Sequence, residues 1–316
     1  MFHMLIVAGA ALAPFVSPAG SDTRGTGGRE RPFRSVERAL MAGSEAVLLP
    51  GDYPNVIVRR EGATVRADVP LTARVVADGK RIGTPPHGIL IVADNVTIEG
   101  LEVTCQPYPP GDESHPAGGM CTGIKVETGK ARNCTIRRCY IRDCPGDGIE
   151  AHDAYRLTVE SCIIAGNGVN PLAHGIYADG TGLRIVGNYV ANNYGYGIHL
   201  WSNARAIVGA VVERNVVVGH RRGTGIILVT PADGKGGGNR ITDNILVGNL
   251  RAIDTNRLGT SERNSPGEIV ERNVVTTRPA RPVRADLDAD YDVDMADYGL
   301  FQKCMNGAKR APKCAE

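Results

Sequence analysis

A Gly-Ile dipeptide recurs through the middle of the chain, and its spacing constrains the fold more than any other feature. It appears as Thr122-Gly123-Ile124, Asp147-Gly148-Ile149, His174-Gly175-Ile176, Tyr196-Gly197-Ile198 and Thr224-Gly225-Ile226, then in altered form as Arg251-Ala252-Ile253. Successive starts lie 25, 27, 22, 28 and 27 residues apart. A second pattern follows each one: Cys134-Thr135-Ile136-x-x-Cys139, Leu157-Thr158-Val159-x-x-Cys162, Leu183-x-Ile185-x-x-Asn188, Val212-x-x-Asn215, Ile241-x-x-Asn244 and Val270-x-x-Asn273. Self-similarity at this length marks a solenoid, whose units bury their apolar faces only by stacking. The units hold short β-branched runs with Gly and Asn at the corners and no helical periodicity, which predicts a parallel β-helix. Asn188, Asn215, Asn244 and Asn273 then form a ladder inside one bend, and Cys139 and Cys162 continue that column as buried thiols. Leucine-rich repeats are excluded because their leucine framework is missing.

Composition agrees. The 316 residues include 40 Gly but only 15 aromatics, and 42% are hydrophobic. That is too much core material for a disordered chain. Gly does not recur at every third position, which excludes collagen. A net charge of +2 gives no reason to expect nucleic acid as a partner.

The two ends differ from the repeats. The apolar run Leu5–Ala13 ends in Ala-Leu-Ala and resembles a signal-peptide core, so residues 1–13 are expected to be a signal segment of a secreted or cell-surface protein. No other stretch is apolar for long enough to cross a bilayer. In an oxidising compartment Cys105–Cys121 and Cys304–Cys314 are candidate disulfides. Residues 14–55 carry Phe15-Val16, then Ser35-Val36-Glu37-Arg38-Ala39-Leu40, then Leu49-Pro50-Gly51-Asp52-Tyr53. This resembles the start of secreted right-handed β-helix proteins of the pectate-lyase-like superfamily, where a strand, a capping helix and a turn open the solenoid. Ser35 suits the N-cap, and Val36, Ala39 and Leu40 form the apolar stripe. The resulting fold expectation is all-β: a right-handed parallel β-helix over residues 14–280, a monomer with an N-terminal capping helix, followed by a small helical calcium-loop appendage over 281–316.

That appendage contains Asp286, Asp288, Asp290, Asp292, Asp294 and Asp297, at positions 1, 3, 5, 7, 9 and 12 of an acidic loop. Oxygen ligands at this spacing suit Ca²⁺. The loop and the following Tyr298, Leu300 and Phe301 resemble a dockerin repeat, which implies a possible cohesin-type partner. Position 6 is Tyr291 where such loops favour Gly, and one repeat is present where a full dockerin has two.

Numbering each hexapeptide 1 to 6, strand alternation predicts that positions 3 and 5 face the core and positions 2, 4 and 6 face out, with Gly at position 2 leaving room above the sheet. Positions 4 and 6 then bring Lys125, Glu127, Glu150, His152, Tyr177, Asp179, His199 and Trp201 onto one surface, bounded by Ile227 and Val229. A solvated sheet face usually carries Thr, Ser, Lys and Glu; two His, a Tyr and the only Trp on one stripe point to a site. His152 has acidic neighbours that raise and orient an imidazole base. Lys125 can neutralise a carboxylate, Tyr177 and His199 can protonate a leaving oxygen, and Glu127, His199 and Trp201 can line a sugar. The set suits removal of the C5 proton of a uronate, giving a lyase or an epimerase acting on an acidic polysaccharide.

The coil Asp147-Gly148-Ile149-Glu150-Ala151-His152-Asp153 resembles the "YGFDPHD/E" strand of alginate C5-epimerases, and His174-Gly175-Ile176-Tyr177-Ala178-Asp179 resembles their "DGFVAD". The resemblance implies His152 as base, Glu150 and Asp179 as its supporting acids and Lys125 as carboxylate neutraliser. Asp147, Glu150 and Ala151 stand where that family has Tyr, Asp and Pro. Two other readings stay open: a non-catalytic glycan-binding or cell-surface protein, and a glycoside hydrolase using Glu150 and Asp179 as its carboxylate pair.

Overall fold

The computed structural model describes residues 13–77, 87–106, 121–202, 206–220, 222–230, 236–257 and 267–276. These form three parallel sheets that the chain visits in turn. The first sheet has ten strands, from Phe15–Val16 to Ile269–Glu271; the second has eight, from Val56–Val58 to Arg251–Arg257; the third has nine, from Gly51–Tyr53 to Val274–Thr276. Each strand pairs with its counterpart one turn away, as in Ile136↔Val159 on the first sheet and Ile141↔Ile164 on the third. The result is the predicted parallel β-helix. Its interior is one column of buried aliphatic side chains, including Ile98, Ile136, Val159 and Ile185 of the first sheet and Ile141, Ile164, Val190 and Leu246 of the third.

The bend between the first and third sheets explains the second repeat. Arg138, Ser161, Gly187, Arg214, Asp243 and Arg272 all have φ between 53° and 64°, a left-handed turn that redirects the chain. The next residue points inward; where it is Asn, at 188, 215, 244 and 273, its side-chain amide satisfies backbone groups that the turn leaves unpaired. Asn188 Nδ2 donates to Asn215 Oδ1 (3.0 Å) and to the Val159 carbonyl (2.9 Å), and Asn215 repeats this with Asn244 Oδ1 and the Ile185 carbonyl, both at 2.9 Å. The Cys162 amide donates to Asn188 Oδ1 at 2.9 Å, so the thiols do head this column. A second ladder, Asn167–Asn193–His220–Asn249, runs inside the corner after the third sheet. It escaped the sequence reading because its Asn residues fall in segments of uneven length and His220 interrupts them.

The N-terminal cap is as expected. The helix Val36–Ala42 starts at Ser35, whose side chain accepts from the Arg38 amide, and it buries Val36, Ala39 and Leu40 over the first rungs. The Tyr53 hydroxyl lies within hydrogen-bond distance of the Val16 carbonyl (2.9 Å) and the Leu49 carbonyl (2.6 Å) and shares its one proton between them, which fastens the opening strand to the first turn.

The candidate disulfide Cys105–Cys121 is not formed: both are free thiols. They share a small buried cluster with Cys144 and Ala77, where the Cys105 thiol points to the Cys121 carbonyl at 3.5 Å. Residues 1–12, Cys304, Cys314 and the whole acidic loop lie outside the described residues.

Candidate active site

The second sheet carries the stripe. Strands Thr122–Val126, Ile149–Tyr155, Ile176–Thr181 and Ile198–Trp201 are stacked in register, with Lys125 opposite Glu150, Glu150 opposite Tyr177 and Tyr177 opposite His199. Positions 3 and 5 face the core throughout, from Ile124 and Val126 to Ile198 and Leu200. With strands about 4.8 Å apart, the intervening side chains form one continuous surface.

Position 2 departs from simple alternation. A Cβ built on Gly148 would lie 2.6 Å from the Gly175 carbonyl and 2.7 Å from the Ile164 side chain of the third sheet. The Gly column therefore faces inward at the corner and does not open space above the sheet. Consecutive amides, Gly148 to the His174 carbonyl and Ile149 to the Gly175 carbonyl, donate toward the same neighbour, which breaks the alternation there. As a result position 1 stands beside the stripe and adds residues that the pattern did not select: Thr122, Asp147 and His174, with His87 one turn earlier in register with Thr122. The only sequence signal was that polar residues precede each Gly.

A β-bulge organises the centre. Pairing runs from Ala151↔Ala178 to Ala154↔Gly180, so His152 and Asp153 together oppose Asp179. Asp153 adopts φ 53°. Bulges of this kind re-aim side chains. Here the bulge delivers two groups to one carboxylate: His152 Nδ1 lies 2.9 Å from Asp179 Oδ2, and the Asp153 amide donates to Asp179 Oδ1 at 2.7 Å. Gly180 makes this possible, since its φ is 131° and a Cβ there would sit 2.0 Å from the Ala154 carbonyl oxygen. Asp179 is only 3% exposed beneath these partners, so it supports His152 and does not itself meet solvent.

On the other side of the ring, His152 Nε2 lies 3.5 Å from Glu150 Oε1. Glu150 is ion-paired with Lys125 and accepts from the Thr122 hydroxyl at 3.1 Å. When Nδ1 donates its N–H to Asp179, Nε2 is the nitrogen left with the lone pair. The structure thus brings Lys125, Glu150, His152, Asp179 and Tyr177 together. Glu127 lies half-buried just past the end of its strand and, among the described residues, takes no part in this polar network.

An aromatic stack continues along the sheet. The Tyr177 ring meets His152 edge-on, with centroids 4.5 Å apart, and stacks on His199 at 4.7 Å and 10°. Trp201 follows, 6.3 Å from His199. His199 was expected to be open, but it is 9% exposed, enclosed by His174, Tyr177 and Tyr196. Burial drives its pKa down to about 2, so it is a neutral ring and not a proton donor in acid form. Burial likewise lowers His174 and His87 to about 4. Tyr177 is pushed up to about 12 by burial and then by the carboxylates of Asp147, Asp179 and Glu150, so it keeps its phenolic proton. Asp147, buried and accepting from the His174 amide at 2.6 Å, is held well above the usual carboxylate range by desolvation and then by Glu150. Ile227 and Val229 end the stripe as expected, and both are buried. Among the described residues no three His, Cys, Asp or Glu side chains converge as a metal-ligand set.

Comparison with known proteins follows the architecture. No curated protein matches the chain by sequence. By structure it is similar to the pectate lyase Pel9A (17% identity, TM-score 0.54, covering 84% of this chain and 77% of that one). It is also similar to the pectin methylesterase PemA from Erwinia chrysanthemi (12% identity, TM-score 0.53, 95% and 98% covered). The Dettilon tailspike protein gp208 is a third (17% identity, TM-score 0.51, 84% and 50% covered). At such identities the likeness is one of fold. Residues 86–249, more than half of the chain, match the family model described as right handed beta helix region. With three parallel sheets wound about one core, the chain belongs to the right-handed β-helix family.

Proposed function

We propose that the protein acts on a uronate-containing polysaccharide by abstracting the C5 proton, as a lyase or an epimerase. The observation that carries this reading is the His152–Asp179 pair, set beside the Lys125–Glu150 ion pair on an outward sheet face. Two of the similar structures are named for action on pectate and pectin, which supports a polysaccharide as the substrate class.

In this mechanism His152 Nε2 takes the C5 proton, and the electron pair spreads onto the adjacent carboxylate. Lys125 has three N–H donors, so it can hold Glu150 and a substrate carboxylate together. Its charge then stabilises the enolate that forms. From there the electron pair either expels the O4 substituent, which takes a proton from the Tyr177 phenol, or stays at C5, which takes the Tyr177 proton on its other face and leaves a phenolate. Elimination gives an unsaturated sugar; reprotonation gives the C5 epimer. Trp201 and the Tyr177–His199 stack supply apolar faces for neighbouring sugar rings. The hydrolase reading is less well supported, because both Asp179 oxygens are already engaged by His152 and the Asp153 amide.

The test is to incubate the protein with alginate, pectate and glycosaminoglycans in D₂O. Absorbance follows the unsaturated product and NMR follows deuterium entry at C5. Neither signal on any uronan would rule the reading out.

We also propose, from the sequence, secretion directed by residues 1–13, Ca²⁺ binding by Asp286, Asp288, Asp290, Asp292, Asp294 and Asp297, and a cohesin-type partner for residues 281–316. Calorimetric titration of Ca²⁺ into the protein and its Asp286→Ala variant tests the second; equal binding by both would contradict it.

A further inference from the structure

At the corner that leads from the second sheet into the first, the residue two places before the strand is left-handed on successive turns. Gly62, Asn95, Asn133, Arg156, Gly182, Gly209, Gly238 and Gly267 hold this position, with φ between 53° and 70°. Gly and Asn are the residues that tolerate such a backbone. Arg156 is the one exception in the column. The bend between the first and third sheets also holds arginines in this conformation, but each has a carboxylate beside it. Arg138 pairs with Glu99 at 3.2 Å, Arg214 with Glu213 at 2.9 Å and Arg272 with Asp243 at 2.7 Å. Arg156 is exposed and, among the described residues, has no carboxylate partner. A disfavoured residue kept at a strained position, with no partner for its charge, points to a use for its side chain.

Its surroundings show what that use is. Arg156 directly follows the strand Ile149–Tyr155, so it lies within about 14 Å of His152 along the chain. Past the bulge Ala154 turns into the core, and Tyr155 faces out, 44% exposed. Arg132, one rung earlier and bridged to Tyr155, sets its guanidinium over that ring, 5.7 Å from the centroid. Lys130 stands exposed just before it. The Arg156 stem runs over Gly182 on the next rung, where a Cβ would meet its Cγ at 3.4 Å. Asp153, the exposed carboxylate between His152 and Tyr155, is turned back toward Gly129, 3.2 Å from where a Cβ there would sit. Among the described residues Lys130, Arg132 and Arg156 form no ion pair, whereas Arg137 and Arg142 on the neighbouring sheets do. Uncompensated cations on adjacent rungs give this corner a positive potential.

We propose that Lys130, Arg132, Tyr155 and Arg156 form a binding surface for an acidic polysaccharide, taking the uronate residues next to the one at His152. This rests on the reading of the site as one for such a polymer. Guanidinium groups grip carboxylates through paired N–H donors. The open part of the Tyr155 ring offers a face to the C–H groups of a sugar.

The experiment is affinity electrophoresis of the full chain through gels containing alginate, pectate, a glycosaminoglycan or neutral dextran, for the parent, Arg156→Asn and Arg132→Gln. At least one acidic polymer should retard the parent and dextran should not, with the retardation fading as salt screens the charges. Each variant should bind that polymer about tenfold more weakly. Arg156→Asn should melt at or above the temperature of the parent, because Asn suits the corner. Unchanged affinity in either variant, or a lower melting temperature for Arg156→Asn, would overturn the proposal. Equal retardation by dextran, or none in any gel, would overturn it too. Binding that the variants weaken, with no C5 chemistry on any uronan, would sink the proposed activity and leave this surface standing; C5 chemistry with unaltered affinity in the variants would do the reverse.

Discussion

Asp179→Asn should disable His152 without unfolding the site, and the reason lies in the bulge. The Asp153 amide donates to Asp179 Oδ1 at 2.7 Å, and an N–H can only point at an oxygen. An Asn at 179 must therefore keep its carbonyl there and turn its NH₂ toward His152 Nδ1, now 2.9 Å from Oδ2. The amide would donate, Nδ1 would have to accept, and the ring proton would move to Nε2. A base whose acting nitrogen already carries a proton cannot abstract another. The expected loss is about 10³–10⁴-fold in turnover, as for other His–carboxylate pairs altered in this way, or roughly 4–5.5 kcal/mol of barrier. Stability should fall by no more than about 1.5 kcal/mol, because both hydrogen bonds persist with neutral partners. Nitrogen-15 NMR of the histidines reads the tautomer directly, and uronan turnover reads the consequence. An unchanged tautomer together with activity within about tenfold of the parent would show that Asp179 does not set the proton on His152.

Other perturbations test the scaffold. Gly180→Ala must displace the Ala154 carbonyl that a Cβ would meet at 2.0 Å; it should cost about 2 kcal/mol or more and lose the same histidine signature, measured by urea unfolding and NMR. Asn215→Leu orphans the Asn188 amide and the Ile185 carbonyl inside the ladder. It should destabilise by about 2–5 kcal/mol, and a loss under about 1 kcal/mol would contradict the ladder's role. His220 is fully buried, donates from Nδ1 to Asn249 and is lowered to about 4 by burial. The unfolded chain binds a proton there near pH 6.5 while the folded chain does not, so stability is lost as pH falls from about 6.5 toward 4. His220→Asn should flatten that dependence by on the order of 2 kcal/mol at pH 5, read from unfolding curves at several pH values.

Much of the solenoid was legible because it repeats. Ile at position 3 and Asn after each left-handed bend are dictated by one geometry copied turn after turn, so Ile149 and Asn215 could be placed from spacing alone. The same logic brought Lys125, Glu150 and Tyr177 into register. What spacing could not show is where regularity stops. The extra residue at His152–Asp153 is invisible to a period-two count, because nothing in Asp147–Asp153 announces a bulge; only Gly180, on the next strand, makes room for it. Gly148 and Gly175 were assigned outward by alternation, yet close approach of the neighbouring carbonyl turns them inward and brings Thr122 and His174 beside the stripe. Likewise Cys105 and Cys121 are candidates for a disulfide because they flank a Pro/Gly-rich stretch, but they are free thiols clustered with Cys144 from the next turn. Ile163 and Val218 belong to an outward apolar cluster on the third sheet; it was hidden in runs such as Ile163-Ile164 and Val216-Val217-Val218, which read as core on both faces.

The proposed activity rests on His152 as the base that takes the C5 proton of a uronate. The most direct measurement is deuterium incorporation at C5 of alginate and pectate, followed by NMR for the parent protein and for His152→Ala. Incorporation or elimination is expected on at least one of these polymers, falling by about 10³-fold or more in the variant. Incorporation that survives His152→Ala unchanged would contradict the assignment of His152.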